Sequence, residues 1–380
     1  MKKILILLFL IFSFNLVNAE ETELVKNSKS AILMDYSTGK ILYDFNSNEE
    51  LAPASMTKIA SLLVIMEAIE DGKINLDDKV SISAEADSMG GSQVYLEEGE
   101  TYVVKELIKA VSIASGNDAV VALAEAVAGS VENFVDMMNK KCEEIGCKNT
   151  NFVNPHGLDE NNHYSSSYDM ALLAKELIKY DLILEYSKLY EDYFKRNDGS
   201  NTWMVNTNKL LRYYVGVDGL KTGYTENAGY CLTSTALKKD LRLISVVMGS
   251  SSSEKRSQDT IALLDYGFSN YSLFKIKDKS DVVDNIKVLS GKVDNVNIYL
   301  KENSIDLKKI GDDNKEYKIS YEIKDLKAPL KKNEVVGKAI IKDKENKFVQ
   351  EVDIVIHEEI KKANLFDYIK YNFRIALAGK

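Results

Sequence analysis

The sequence predicts an α+β fold in which helices flank an antiparallel sheet, followed by a small all-β domain and a C-terminal amphipathic helix. Three observations carry this reading. Two strand-like runs near the start and three more at 217–224, 229–236 and 241–248 enclose a long helical stretch. Beyond about Phe274 the helical stripes give way to alternating runs. The last twenty residues return to helical spacing. Strands at both ends of a helical block favour one antiparallel sheet whose first and last strands meet, with helices covering it.

The elements follow in order. Met1-Lys2-Lys3 is a short basic segment, Ile4 to Phe14 is apolar, and Val17-Asn18-Ala19 offers small residues for cleavage. Residues 1–19 therefore read as a signal peptide, with Glu20 as the mature N-terminus. The apolar run is shorter than the ~20 residues that span a bilayer, so an uncleaved anchor is the lesser alternative. The expected location is extracytoplasmic, at the outer face of the cytoplasmic membrane or in the cell wall. The 380 residues carry a net charge of −9, and −11 once Lys2 and Lys3 leave. Such an acidic chain has no basic footprint for nucleic acid.

A first domain is expected over 25–272. Ala31 to Met34 and Ile41 to Tyr43 form a hairpin around Ser37-Thr38-Gly39-Lys40. Ile59, Leu62, Leu63, Met66 and Ile69 form a helical stripe over 57–69, and helices are expected at 106–114 and 119–128. Ser166-Ser167-Tyr168-Asp169 reads as a capping box opening a helix through Tyr180. Alternation around 286–300, 315–323, 334–341 and 347–356 places the all-β domain at 275–358, as a spacer or stability module. At 361–380, Leu365, Phe366, Ile369, Phe373, Ala376 and Leu377 share one helix face. That face suits peripheral docking on a membrane, with packing on the β domain as the alternative. Of three cysteines, Cys142 and Cys147 flank Gly146 at a helix end and are read as free thiols, pairing being the alternative. Cys231 reads as core filler.

Three short strings carry chemistry: Ser55-Met56-Thr57-Lys58, Ser115-Gly116-Asn117 and Lys221-Thr222-Gly223. Each alone is weak, but together they supply a nucleophile, a base, a proton relay and an anion anchor. Ser55 sits near the first turn of the 57–69 helix, where free N–H groups favour a developing oxyanion. Lys58 is three residues on and shares its face. To take the Ser55 proton, Lys58 must be neutral, well below the ~10.4 of a free lysine. Burial and a neighbouring cation, Lys221, push that way. Ser115 can pass a proton from Lys58 to a departing amine, and Asn117 can hold either a substrate amide or the lysine. Lys221 and Thr222 can grip a substrate carboxylate. Gly223 lets an extended substrate lie against its strand, and the Tyr224 N–H can join that of Ser55 at the oxyanion. A site that requires a C-terminal carboxylate suits a carboxypeptidase.

Other designs fare worse. The chain has three histidines and no GxSxG elbow, which disfavours a Ser-His-Asp hydrolase. His156, Asp159 and His163 match no metal spacing of high specificity, so no metal or cofactor is expected.

Around these strings the chain resembles the low-molecular-mass penicillin-binding proteins, specifically D-alanyl-D-alanine carboxypeptidases of the DacA/DacF type. The resemblance spans roughly 25–360 and includes LAPASMTKIASLL at 51–63, GGSQVYLEEGE at 90–100, SGNDA at 115–119, FVNPHGLD at 152–159, HYSSSYDMALLA at 163–174 and DGLKTGYTENAGYC at 218–231. It implies the β-lactamase/DD-peptidase-like fold, with Ser55 as acyl-ester nucleophile, Lys58 as proton acceptor, Ser115 as second catalytic serine and Lys221 as substrate-binding lysine. Arg256 resembles a family arginine at the substrate carboxylate, and His156 lies in a loop below the site with a structural role. The implied reaction removes the terminal D-alanine from peptidoglycan pentapeptide stems through an acyl-enzyme, and β-lactams acylate the same serine. A DD-endopeptidase or β-lactamase of the same superfamily is the alternative. The 152–159 loop offers no glutamate to activate water, which weighs against the lactamase. An idle wall-binding protein has no need of all four of Ser55, Lys58, Ser115 and Lys221.

Overall fold

The structure is a computed structural model and describes residues 24–312 and 316–369. The expected signal peptide and the end of the C-terminal helix lie outside those residues. The hairpin is present as β1 (Ser30–Asp35) and β2 (Ile41–Phe45). Its turn is pinned by the Asp35 carboxylate, which accepts the Thr38 N–H at 2.8 Å. A 3-10 turn (Ala54–Thr57) then leads into α1 (Lys58–Glu70). A small ribbon of β3 (Lys79–Ser81) and β4 (Thr101–Val103) encloses the short α2 (Ala84–Asp87). The helical layer is α3 (Val104–Ala114), α4 (Asn117–Ala128), α5 (Val131–Ile145), α6 (Ser167–Leu177) and α7 (Asp181–Ser187). A second hairpin, β5 (Glu191–Lys195) with β6 (Asn201–Val205), precedes α8 (Leu210–Tyr213).

β7 (Val217–Thr225), β8 (Gly229–Lys238) and β9 (Leu241–Ser250) complete the sheet in the order β2-β1-β9-β8-β7, antiparallel throughout. The first strand pairs with the last, Ser30 opposite Met248 through Asp35 opposite Leu243. All six residues of β1 are buried, because both faces of the sheet are covered. Ile32 and Met34 join the core shared with α1 and α3–α6, while Ala31 and Leu33 face the opposite core under α9 (Ser253–Asn270).

Two local readings need correction. The stripe in α1 suggested one buried face, yet the helix is buried continuously from Lys58 to Met66. It runs through the middle of the domain, enclosed by α4, α5, α6 and β7. The capping box is half made. Ser166 Oγ accepts the Asp169 N–H at 3.1 Å, but the Asp169 carboxylate turns away to Lys148 N, Asn149 N and Thr150 Oγ1. That helix also ends at Leu177, and Tyr180 opens α7 instead.

The β domain comprises β10 (Tyr271–Lys277), β11 (Val282–Leu289), β12 (Asn295–Leu300), β13 (Ser304–Lys309), β14 (Tyr317–Ile323), β15 (Leu326–Lys327), β16 (Val335–Asp343) and β17 (Phe348–Ile356). Six strands form one sheet in the order β14-β16-β17-β12-β11-β15, and β10 pairs with β13 as a separate ribbon. The run expected at 286–300 is two strands that turn between Leu289 and Asn295, with Ser290 at φ 58°. The ribbon crosses the expected domain boundary. Leu307 is buried in the core under α9, with Leu273 packed against it. Residues 365–369 are helical, with Leu365 and Phe366 exposed.

Candidate active site

The site lies where α1, the α3–α4 turn and the edge strand β7 converge. Ser55 lies in the 3-10 turn that leads into α1, so the nucleophile candidate stands one short turn ahead of the helix, near its first turn as expected. Lys58 is fully buried, and its Nζ has three oxygen neighbours: Ser55 Oγ at 3.1 Å, Asn117 Oδ1 at 2.6 Å and the His156 carbonyl at 2.7 Å. Burial, and next the Lys221 charge, push the Lys58 amine well below its ordinary value.

Asn117 begins α4, where its Nδ2 donates to the Gly90 carbonyl at 2.7 Å while its Oδ1 accepts from Lys58. Of the two roles open to it, the lysine role is the one realised. Ser115 caps the end of α3 in the left-handed region, φ 62° and ψ 32°. Its hydroxyl is buried at the cleft wall without a protein partner and makes no bond to Lys58.

β7 is the free edge of the sheet. Lys221 Nζ donates to the Thr222 carbonyl at 2.9 Å, and the Thr222 hydroxyl pairs with that of Thr207. Burial, and next the Arg256 charge, lower Lys221 to about 7. Arg256 is itself buried, with an unpartnered Nε. Among the described residues neither side chain has an ion pair; Arg256 lines the cleft, and Lys221 lies buried close enough for the Arg256 charge to lower it. The reason expected for Gly223 is corrected. A Cβ there would lie 2.7 Å from the Pro53 carbonyl and 3.2 Å from the Ser55 nitrogen, so glycine admits the nucleophile's own loop. The Tyr224 side chain is exposed and meets the Tyr230 ring at a tilt of 33°, with centroids 4.4 Å apart. Ser55, Ser115, Thr222, Gly223, Tyr224 and Arg256 all line one cavity of about 480 Å³.

The sequence from 17 to 252 matches the family described as D-alanyl-D-alanine carboxypeptidase, and 271–362 match the C-terminal domain of penicillin-binding protein 5. The D-alanyl-D-alanine carboxypeptidase DacF of Bacillus subtilis is 46% identical over 350 residues, covering 92% of this chain and 90% of its own. The chain belongs to the D-alanyl-D-alanine carboxypeptidase family. Its structure resembles penicillin-binding protein 5 of Haemophilus influenzae, with 34% identity, a TM-score of 0.69 and coverage of 88% of this chain and 98% of that one. Penicillin-binding protein D2 of Listeria monocytogenes, solved in an ampicillin-bound form, matches with a TM-score of 0.57 and 29% identity, over 63% of this chain and 97% of its own.

For a carboxypeptidase of this family the sequence strings leave out the supporting shell. Asp118 is buried, and its carboxylate accepts the N–H groups of Val94 at 2.9 Å, Leu96 at 3.2 Å and Ala119 at 2.8 Å. This ties the 92–96 loop to α4. Ser92, Tyr190, Val205 to Thr207, Lys209 and Ser253 also line the cleft. The signal for Asp118 was its place beside Asn117 and that for Ser92 its place in the 90–100 stretch; the others sit in segments with no chemical pattern. His163 Nδ1 accepts the Val153 N–H at 3.1 Å and its Nε2 meets Thr57 Oγ1 at 2.8 Å. Burial lowers His163 to about 4 and His156 to about 3, so both imidazoles stay neutral and structural. Asp159 accepts from Thr225 Oγ1 instead of joining them, and no metal-holding group occurs among the described residues.

Proposed function

We propose that this protein is a serine D-Ala-D-Ala carboxypeptidase that removes the terminal D-alanine from peptidoglycan pentapeptide stems. The observation that carries the reading is the neighbourhood of Lys58 Nζ. A neutral amine has two hydrogens and one lone pair. Asn117 Oδ1 and the His156 carbonyl, at 2.6 and 2.7 Å, can only accept. They take the two hydrogens, and the lone pair is left toward the Ser55 hydroxyl at the longer 3.1 Å. A buried lysine so oriented is a base for one specific proton.

The steps follow from the chain's own groups. Arg256, Lys221 and Thr222 receive the substrate's terminal carboxylate. The peptide lies along the open edge of β7. Ser55 Oγ attacks the carbonyl carbon of the last peptide bond and Lys58 accepts its proton. The N–H groups of Ser55 and Tyr224 face the oxyanion. The Ser115 hydroxyl, free of protein partners, relays the proton to the departing D-alanine amine. Water then hydrolyses the ester at Ser55. A β-lactam, with an amide and a carboxylate in similar relation, acylates the same oxygen. We place the mature protein outside the cytoplasmic membrane, held peripherally by its C-terminal helix.

The test is release of free D-alanine from a peptide ending in D-Ala-D-Ala. Wild type releases it, and Ser55→Ala neither releases it nor retains a labelled penicillin. Equal release from both proteins would overturn the assignment of the nucleophile, and release from neither would overturn the function. Rapid drug hydrolysis with loss of label from the wild type would favour a lactamase.

A further inference from the structure

Cys142 and Cys147 lie outside the catalytic machinery and are both free thiols. α5 ends at Ile145, and Gly146 follows in the left-handed region at φ 93°. The Cys147 N–H donates back to the Cys142 carbonyl at 2.9 Å, and the Gly146 N–H lies 3.1 Å from the Glu143 carbonyl. These two bonds define a Schellman ending, in which the side chains at the positions of Cys142 and Cys147 are brought together as an apolar clasp. Here the two members of the clasp are both thiols. Their mutual contact, and next burial, push the Cys147 thiol upward. Cys142 is buried beneath, while Cys147 is partly open to solvent.

We propose that this pair is an oxidation site, closed as an intrachain Cys142–Cys147 disulfide by a disulfide-type oxidant. The oxidising surroundings belong to the exported location proposed above. The Cys147 thiolate attacks one sulfur of the oxidant, for instance oxidised glutathione, and expels a glutathione thiolate. The Cys142 thiolate then attacks the Cys147 sulfur and expels the second. Two protein thiols give up two protons and two electrons, and one oxidant disulfide becomes two thiols. The Cys147 Sγ also lies 4.0 Å from the Asp169 carbonyl, and the Asp169 charge pushes the thiol the same way, so closure accelerates with rising pH.

The clasp stands at the root of the segment that supports the site. Lys148 and Asn149 donate from their backbone to Asp169, and Asn139 bonds Phe152 through both its N–H and its carbonyl. Beyond them the Pro155 carbonyl accepts from Ser61 and the His156 carbonyl from Lys58. A cross-link across residues 142–147 therefore stabilises this support without entering the cleft.

The experiment uses the reduced, purified protein equilibrated with oxidised glutathione, then denatured and alkylated. One alkylated thiol, Cys231, is expected in place of three, with a peptide mass two hydrogens lower linking Cys142 to Cys147. The thermal midpoint should rise by a few degrees and return on reduction. Cys147→Ser should leave two alkylated thiols and no redox shift in the midpoint. Three alkylated thiols in the oxidised wild type, or a lasting glutathione adduct on Cys147, would overturn the proposal. Penicillin labelling of Ser55 on the same samples reports separately on the carboxypeptidase reading, since the thiol count does not depend on it.

Discussion

Lys58 and Lys221 are buried close enough to act on each other but need opposite protonation. Lys58 must be neutral to act, and burial with the Lys221 charge lowers it well below its ordinary value. Lys221 must be charged to hold a carboxylate, and it has been lowered to about 7. Activity should therefore fail on two sides for two reasons. As pH falls, Lys58 takes up a proton and kcat drops. As pH rises past about 7, free enzyme loses the Lys221 charge and KM climbs, although bound carboxylate pulls the proton back. Initial rates from pH 5 to 10 check this, and a KM that stays flat through pH 9 contradicts it. A second residue-scale prediction concerns Gly223. Gly223→Ala sets a methyl 2.7 Å from the Pro53 carbonyl, which must shift the Ser55 loop. β-lactam acylation should slow by roughly tenfold or more, since small misplacements of a nucleophile are costly. An unchanged acylation rate would show that the loop has slack.

At the scale of elements, α1 brings Lys58 into the core while the α3–α4 turn delivers Ser115 and Asn117. The 92–96 loop is held against that turn by one carboxylate. Asp118→Ala would leave three N–H groups without their acceptor, those of Val94, Leu96 and Ala119. We expect a loss of about 3 kcal/mol in urea unfolding, with weaker acylation because Asn117 and Ser92 lean on the same loop. Asp118→Asn keeps one acceptor oxygen, sets an NH2 donor against the other N–H groups, and should recover only part of both. The helices and strands around this turn were legible because their apolar spacing is local. α9 and the β5–β6 hairpin were not: α9 mixes charge into its stripe, and the hairpin exposes Tyr193 and Trp203 while burying Phe194 and Met204. Period and burial conflict there, and only packing resolves them.

At the scale of the whole molecule, the sheet separates two cores, and the β10–β13 ribbon joins the β domain to the outer one through Leu307. Lys40, from the first hairpin, adds an ion pair to the buried Asp306, which also accepts from the Tyr317 hydroxyl at 2.9 Å. The β domain is thus fastened to the catalytic domain through Leu307 and Asp306. The exposed Leu365, Phe366 and Ile369 extend beyond it. Removing 362–380 should release the protein from vesicles of anionic lipid in a flotation assay while D-alanine release from a soluble peptide stays within twofold. Undiminished flotation would count against the proposed anchor.

The amino-acid sequence by itself determined the layout of a strand pair, a helical block, three strands and a β-rich end, and the grouping of a serine, a lysine and a glycine-flanked strand, because those depend on spacing along the chain. Ser55 and Lys58 meet by helical geometry alone. Only the tertiary structure decided what each polar atom faces. Lys58 finds its second and third partners 59 and 98 residues away. Gly223 owes its identity to Pro53, and Arg256 is left unpaired beside Lys221. Partners distant in sequence are selected by close packing and by the exclusion of water, and no local period records them.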